Sequence, residues 1–415
     1  MVRLNEILQP EGEKQNKDEE AKSKSIEKKA APNKKVEDKR EENESEAIDN
    51  FKFSDVIATQ DFLKDTRKLP PQFEKEKESK TIFSSNGIKY DLESKVVEKT
   101  KAKRDVDRLF KQGKFAIMDV MDIVKANSRV DESTILALIK NAEKVVDCML
   151  HDTDHDLLYI KAVYNRHTID DFISHGINVG IFSLKIGIGL NYSKQKLISL
   201  FTAAALHDIG MLLLEANIIH SKSTLTEKEM DLVKTHPEKG YNLFKDIKNK
   251  EVKWMAEIIL QEHERINGKG YPKQLKKESI HDFARIIGLV DDYEALTHDR
   301  PHRRRFLPYD AIKIIIEQKK GYFDKDLLKI LLKKISVFPL NSLVELNTKE
   351  IGRVIATDET KPLRPRLQIL FDSNGNEVKI DRFVNLADNS LLFIVNSIYE
   401  EDIFTKENET QTENK

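Results

Sequence analysis

The sequence predicts a mainly α protein: a helical bundle with a helical N-terminal lead-in and a small β-rich C-terminal appendage. Two observations carry this. Through the middle of the 415-residue chain, apolar residues recur at three and four positions, the spacing that gives a helix one apolar stripe. Past about Ser336 that period gives way to short runs, SLVEL, GRVIAT, RLQILFD, EVKI and LLFIVNSI, separated by turn residues, as strands require.

Residues 1–50 carry neither period. Charged residues of both signs fill about half of them, and such a segment buries too little apolar surface to offset its ordering entropy. A disordered arm is expected, suited to a tether or to a signalling protein partner. The block SEAIDNFKFSDVIATQDFLKDTRKL predicts a short helix ended by Pro70–Pro71. From about Leu92 to Tyr164 the runs VDRLFKQGKFAIMDVMDIV and STILALIKNAEKVVDCML read as helices, with Asp131 and Ser133 offering N-cap oxygens before the second. Further helices follow, among them ISHGINVGIFSLKIGIGL, KLISLFTAAALHDIGMLLL, VKWMAEIILQEHERI and FARIIGLVDDYEALT. Thr226 with Glu229 forms a capping-box pattern. In the β-like part, Ser373-Asn374-Gly375-Asn376 suits a hairpin turn. The expected division is an arm at 1–50, a helical region at 51–154, the bundle at 155–335, the β-rich appendage at 336–405 and a polar tail at 406–415.

Composition excludes several classes. The net charge of −1 gives no global field for DNA or RNA. No run of some twenty apolar residues lacks charge, so no membrane span is expected. The first twenty residues hold no apolar core, so no secretory signal is expected. Cys148 is the single cysteine; it precludes an intramolecular disulfide, is expected to fill core space, and fits a cytoplasmic location.

Histidine and aspartate stand at nearly even intervals along the helical part: His175, His207–Asp208, His236, His263 and Asp291. Helices of a bundle build metal sites by each projecting one or two such side chains inward. Imidazole mixed with carboxylate suits iron, manganese or zinc. A bridging Asp208 would suit two metals and a water held for in-line attack on phosphorus. A lone histidine of this kind is more often a core residue; the ordered set points to metal. Past Asp291, Arg300, Arg303, Arg304 and Arg305 cluster near His298 and His302, and guanidinium groups bind phosphates in bidentate fashion.

The order H…HD…H…HE…GYP…D, followed by ALTHDRPHR, resembles the HD-GYP domain of bacterial cyclic di-GMP phosphodiesterases over about residues 160–335. The resemblance implies an HD-type bundle with ligands at His175, His207, Asp208, His236, His263 and Asp291. It makes His207 and Asp208 the catalytic pair at two divalent transition metals, iron or manganese. Cyclic di-GMP would be the substrate, opened to linear pGpG and onward to GMP. Gly270-Tyr271-Pro272 stands at the name-giving motif, where Tyr271 would stack on a guanine, shape the rim or brace the loop. Arg300 and Arg303 fall at phosphate-contacting positions, whereas Arg304 and Arg305 have no such support. Asp171, four residues before His175, falls where some members bind a third metal; the other reading pairs it with Asp170 at a helix N-terminus.

Two positions depart from the family pattern. Met211 replaces a lysine, removing a cation from the scissile phosphate. Glu262 replaces the first histidine of HHE, either as an oxygen ligand or as a partner orienting a histidine. These departures favour a second reading, a catalytically weak or inactive cyclic di-GMP receptor. The otherwise complete ligand set favours the enzyme.

Overall fold

The computed structural model describes residues 88–151, 157–165, 171–219, 221, 225–299 and 303–403, with side chains from residue 104 onward. The expected arm, the short helix before Pro70 and the polar tail lie outside the described residues, as does Arg300. The mainly α expectation holds.

Two helices open the described chain. α1 spans Ile88–Asn127 and α2 spans Glu132–His151, ending in a basic residue. Asp131 caps α2 as its side chain accepts from the Thr134 amide at 3.1 Å. α3 (Leu157–Val163) leads to α4 (Phe172–Gly189), the axis of the bundle, in which Phe172 and every residue from Ser174 to Gly187 are buried. Its apolar character all round is what burial on every side demands. α1, α3, α5 (Lys194–Leu206) and α11 (Asp282–Thr297) pack against it.

α4 and α5 approach closely because Gly176 faces α5. A Cβ there would lie 2.4 Å from the Ala205 carbonyl oxygen. Phe172–Gly189 and Lys194–Leu213 are long and apolar enough to cross a membrane, yet 83% and 78% of these windows are buried inside the fold.

α5 stops at Leu206, and the chain turns through His207 and Asp208 into a 3-10 segment, Ile209–Leu213. The 3-10 turn packs on α8 (His236–Phe244). Gly210 makes this contact, since a Cβ would meet the His236 carbonyl oxygen at 2.0 Å and the Gly240 nitrogen at 2.6 Å. Between them lie α6 (Ala216–Ile219) and α7 (Glu227–Val233), the latter opened by the full Thr226–Glu229 capping box. α9 (Lys250–Lys253) and α10 (Met255–Gln261) follow, and α10 packs on α8. α12 (Pro308–Glu317) and α13 (Lys325–Lys334) close the helical part.

The appendage is one antiparallel sheet in the order β4-β3-β2-β1-β5. Its strands are β1 (Leu343–Leu346), β2 (Ile351–Ala356), β3 (Arg366–Phe371), β4 (Glu377–Asn385) and β5 (Ile394–Ile398). The β3–β4 turn falls on Ser373–Asn376: Gly375 takes φ +83°, which suits glycine, and the Asp372 carboxylate accepts from the Asn374 and Asn376 amides. Cys148 packs against the core but is only half-buried.

Gly210→Ala should destabilise the protein by about 1–3 kcal/mol, the range for overpacking. The added methyl meets backbone on two sides, so no side chain can yield. Urea unfolding of the purified variant checks this.

Candidate metal centre

Five elements converge on one buried point. α4 delivers His175 from its first turns, and the end of α5 delivers His207 and Asp208. His236 is the first residue of α8, Glu262 and His263 follow α10, and α11 contributes Asp291 and Glu294. None of these eight side chains is more than 3% exposed. Two of the deliveries depend on a helix ending: the turn after Leu206 and the turn after Gln261 swing consecutive residues inward.

Asp208 sits at the middle. Its Oδ2 lies 3.7 Å from Nε2 of both His175 and His207, while its Oδ1 lies 3.2 Å from Nε2 of His236. On the first side Asp291 Oδ1 approaches His175 Nε2 at 3.2 Å and His207 Nε2 at 3.8 Å. On the other side Glu262 Oε1 lies 3.1 Å from His236 Nε2 and 3.0 Å from His263 Nε2. Ligand atoms of Asp208, His236, Glu262 and His263 fall within 4.8 Å of one another, as do those of His175, His207 and Asp208, and those of His207, Glu262 and Asp291.

The outward nitrogens are held by fixed acceptors. His207 Nδ1 lies 2.7 Å from the Ala204 carbonyl, and His236 Nδ1 lies 2.7 Å from that of Val233. A carbonyl only accepts, so each Nδ1 carries the proton and each Nε2 faces the centre. His175 Nδ1 meets Glu294 Oε2 at 2.7 Å, the carboxylate–histidine arrangement that orients a metal ligand. Glu294 is in turn held by Asn178 Nδ2 at 3.1 Å and lies 3.3 Å from His298 Nδ1. Glu262 Oε2 is buried with no hydrogen-bond partner among the described residues. Four inward imidazoles, three buried carboxylates and a bare carboxylate oxygen fit a divalent transition metal.

With protons in place of metal, the charges sort accordingly. Burial alone would depress His175 from its ordinary 6.5, but Glu294 and Asp291 hold it at about 10. His207 is likewise held at about 9 against burial, by Asp208 and Asp291. Asp208 and Asp291 stay well below the carboxylate range despite burial, Asp208 facing the His207 and His236 imidazoles and Asp291 those of His175 and His207. Burial pushes Glu262 up, and His263, with burial as its largest cause, well down.

The Gly270-Tyr271-Pro272 loop is built against this centre. Gly270 lies so close to the His263–Arg265 backbone that a Cβ would sit 2.4 Å from the Arg265 nitrogen. Tyr271 stacks on the His263 ring at 4.7 Å, and its buried hydroxyl has no partner among the described residues. Glu264 clamps the far end of the loop, accepting from the Lys273 and Leu275 amides at 2.6 and 2.8 Å. Arg265 bonds the Glu262 and Glu264 carbonyls.

Other expected site residues are placed differently. Asp171 caps α4, accepting from the Ser174 amide at 2.8 Å, and is not among the clustered donors. Arg303 turns its guanidinium back on the end of α11, donating to the Ala295, Leu296 and Arg304 carbonyls. Arg304 and Arg305 pair with Glu401 and Asp402. Met211 does not lie on a helix continuing past His207, since α5 has already ended. It sits in the 3-10 turn, 6% exposed and within the hydrophobic core. Sequence reasoning missed Glu294 and Asn178, although each lies three residues past a candidate ligand, on the same helix face.

Glu294→Gln should lower metal affinity about 10- to 100-fold while leaving the fold intact, read by competition with a chelator. Metal must displace the protons on His175 and His207. Apparent affinity should therefore rise with pH up to about 9–10, with protons released on loading in weakly buffered solution. Affinity independent of pH between 6 and 9 would contradict this assignment.

A family model described as "HD domain" matches residues 164–327, and one described as "KOW domain associated with HD domain" matches residues 343–406. Cyclic di-GMP phosphodiesterase PdeB of Borreliella burgdorferi is 30% identical over 206 residues, 50% of this chain and 54% of that protein. Cyclic di-GMP phosphodiesterase PA4108 of Pseudomonas aeruginosa is 31% identical over 173 residues, 42% of this chain and 41% of its own length. The 3'3'-cGAMP-specific phosphodiesterase 2 of Vibrio cholerae is 25% identical over 195 residues, 46% and 37% of the respective chains. A solved structure of Bd1817, an HDG"Y"P protein from Bdellovibrio bacteriovorus, aligns over 55% of this chain and 71% of that one, at 18% identity and a TM-score of 0.47. This chain spans about half the length of the first relative and less of the others. The HD match falls on the segment that carries the buried donors, and the Gly270-Tyr271-Pro272 loop lies within it: residues 164–327 of this chain are similar to the HD-domain family.

Proposed function

We propose that this protein is a metal-dependent phosphodiesterase that opens cyclic di-GMP to linear pGpG, with GMP as a further product. The observation that carries the reading is Asp208, whose two carboxylate oxygens face two separate groups of imidazoles. One carboxylate shared in this way suits a bridge between two ions. His175, His207 and Asp291 would hold the first, and His236, His263 and Glu262 the second. Iron or manganese suits this mixture of nitrogen and oxygen donors. Such a pair supplies Lewis-acid activation of water and neutralises charge on the phosphodiester.

The chain's own residues set the conditions for that chemistry. Glu294 and the Ala204 and Val233 carbonyls fix which nitrogen each histidine presents. Burial excludes bulk water, which strengthens every charge–charge interaction at the phosphorus. Burial also keeps the Tyr271 hydroxyl protonated, with its acidity well below that of an exposed tyrosine, so it remains a donor at the rim. Arg300 is the phosphate contact we assign beyond α11, and the phosphate role considered for Arg303 is weakened by its helix-end bonds. The relatives act on cyclic di-GMP or on 3'3'-cGAMP by name; cyclic di-GMP is proposed because the relatives named for it include those with the higher identities. The single cysteine and the substrate class fit the cytoplasm, and the N-terminal arm would serve a signalling partner.

A receptor with little turnover is the second reading, favoured by Met211, which buries a thioether where the family has a lysine. Turnover of cyclic di-GMP, with metal content measured on the same sample, decides between them. Asp208→Ala should lose both metal and turnover, since one carboxylate serves both ions. Arg300→Ala should weaken cyclic di-GMP binding by about 1.5–3 kcal/mol, the worth of a charged hydrogen bond. Arg305→Ala should leave binding nearly unchanged, because that side chain is engaged with Glu401. Equal losses in a calorimetric titration of the two variants would reduce the cluster to a diffuse electrostatic patch.

A further inference from the structure

We propose that Lys114, on α1 and outside the matched HD segment, supplies the substrate-phosphate cation that Met211 does not. The inference rests on the phosphodiesterase reading above and deepens it. Lys114 Nζ donates to the Ser174 hydroxyl and lies 4.0 Å from Asp171 Oδ2. Ser174 immediately precedes the ligand His175. Asp171 is four residues before His175, one helical turn, about 5.4 Å along the axis and on the same face. The ammonium is thus seated beside the end of α4 that carries the first metal ligand.

Three further observations favour a role toward substrate. α1 packs against both α4 and the 3-10 turn that holds Met211, so it borders the place where the family lysine would originate. Its approach to α4 is close: a Cβ on Gly113, next to Lys114, would lie 2.4 Å from Ile177 Cδ1. An ammonium has three hydrogens to donate, and Ser174 and Asp171 engage at most two. The third has no partner among the described residues, and the side chain is 33% exposed, so a ligand can reach it.

The electrostatics give the lysine a task. The Asp171 carboxylate, capping α4, would repel a phosphodiester arriving over His175. Lys114 offsets that charge and leaves a hydrogen-bond donor facing the incoming anion. A cation on a neighbouring helix thereby replaces one lost from the turn after His207–Asp208. It also gives the N-terminal helical region a part in the active site.

The test uses the full chain with metal loaded, comparing wild type with Lys114→Gln, Lys114→Arg and, as a control, Lys111→Gln one turn earlier on α1. Lys114→Gln should cut kcat/KM for cyclic di-GMP roughly tenfold to a hundredfold, the effect of one charge-assisted contact. Metal content and unfolding midpoint should be unchanged, Lys114→Arg should recover part of the loss, and Lys111→Gln should match wild type. Equal kcat/KM for wild type and Lys114→Gln would overturn the proposal. So would a gain of a metal ion in Lys114→Gln, which would make the ammonium only a place-holder beside Asp171. If metal-loaded wild type shows no turnover, the phosphodiesterase reading fails separately, and Lys114 is then judged by the equilibrium binding of cyclic di-GMP. A tenfold or greater weakening in Lys114→Gln upholds its phosphate role; unchanged binding ends it.

Discussion

Three carboxylates, Asp208, Asp291 and Glu262, lie buried together at the centre of a helical bundle, and the rest of the structure answers to that fact. An isolated buried carboxylate is far too costly to keep charged. Here each faces imidazole nitrogens at 3.0–3.8 Å. Protons on the histidines satisfy the balance in one state and divalent cations satisfy it in another. The choice between them is a matter of pH and metal supply.

Holding those donors requires helices that stop at particular residues. α5 ends at Leu206 and α10 at Gln261, so His207–Asp208 and Glu262–His263 occupy turns rather than helix interiors. Consecutive residues of a regular helix point about 100° apart; at a helix end the chain can aim both inward. Gly176 and Gly210 permit the close helix contacts that keep these ends together. Outside the donors, Glu294 grips His175 while Asn178 and His298 grip Glu294. This fixes the His175 ring through a chain of buried polar groups, each with its own partner.

The sequence motifs around the centre divide their labour. In His263-Glu264-Arg265 the histidine points to the centre, the glutamate ties down the loop after Pro272, and the arginine bonds carbonyls of the same turn. Farther out, the guanidinium of Arg304 lies 3.5 Å from the Tyr399 ring centroid, and the Tyr399 hydroxyl donates to the Arg305 carbonyl at 2.6 Å. With the Glu401 and Asp402 pairs, these contacts fasten the β appendage to the segment that follows α11. Such exposed pairs are individually weak, but here they converge on one segment together with an aromatic ring.

The fold class was legible because it follows from local period: three-and-four spacing fixes helices, short bounded runs fix strands, and Thr226–Glu229 and Asn374–Gly375 mark ends and turns through bonds made within a few residues. The ordered histidines and aspartates were legible as a set because a bundle must project them inward. What the sequence could not decide was anything set by where a helix stops or by which distant groups meet. The helix read over KLISLFTAAALHDIGMLLL runs through Met211, whereas α5 ends at Leu206 and Met211 falls in the 3-10 turn. Asp171 read as a third-metal ligand or as a helix-terminal carboxylate, and its bond from the Ser174 amide depends on where α4 begins. Arg303 read as a phosphate contact, and the end of α11, which precedes it in the chain, engages its guanidinium. Glu294 behind His175 and Lys114 beside Ser174 join residues 119 and 60 positions apart. Periodicity describes one helix at a time, and only packing brings separate helices within hydrogen-bond reach.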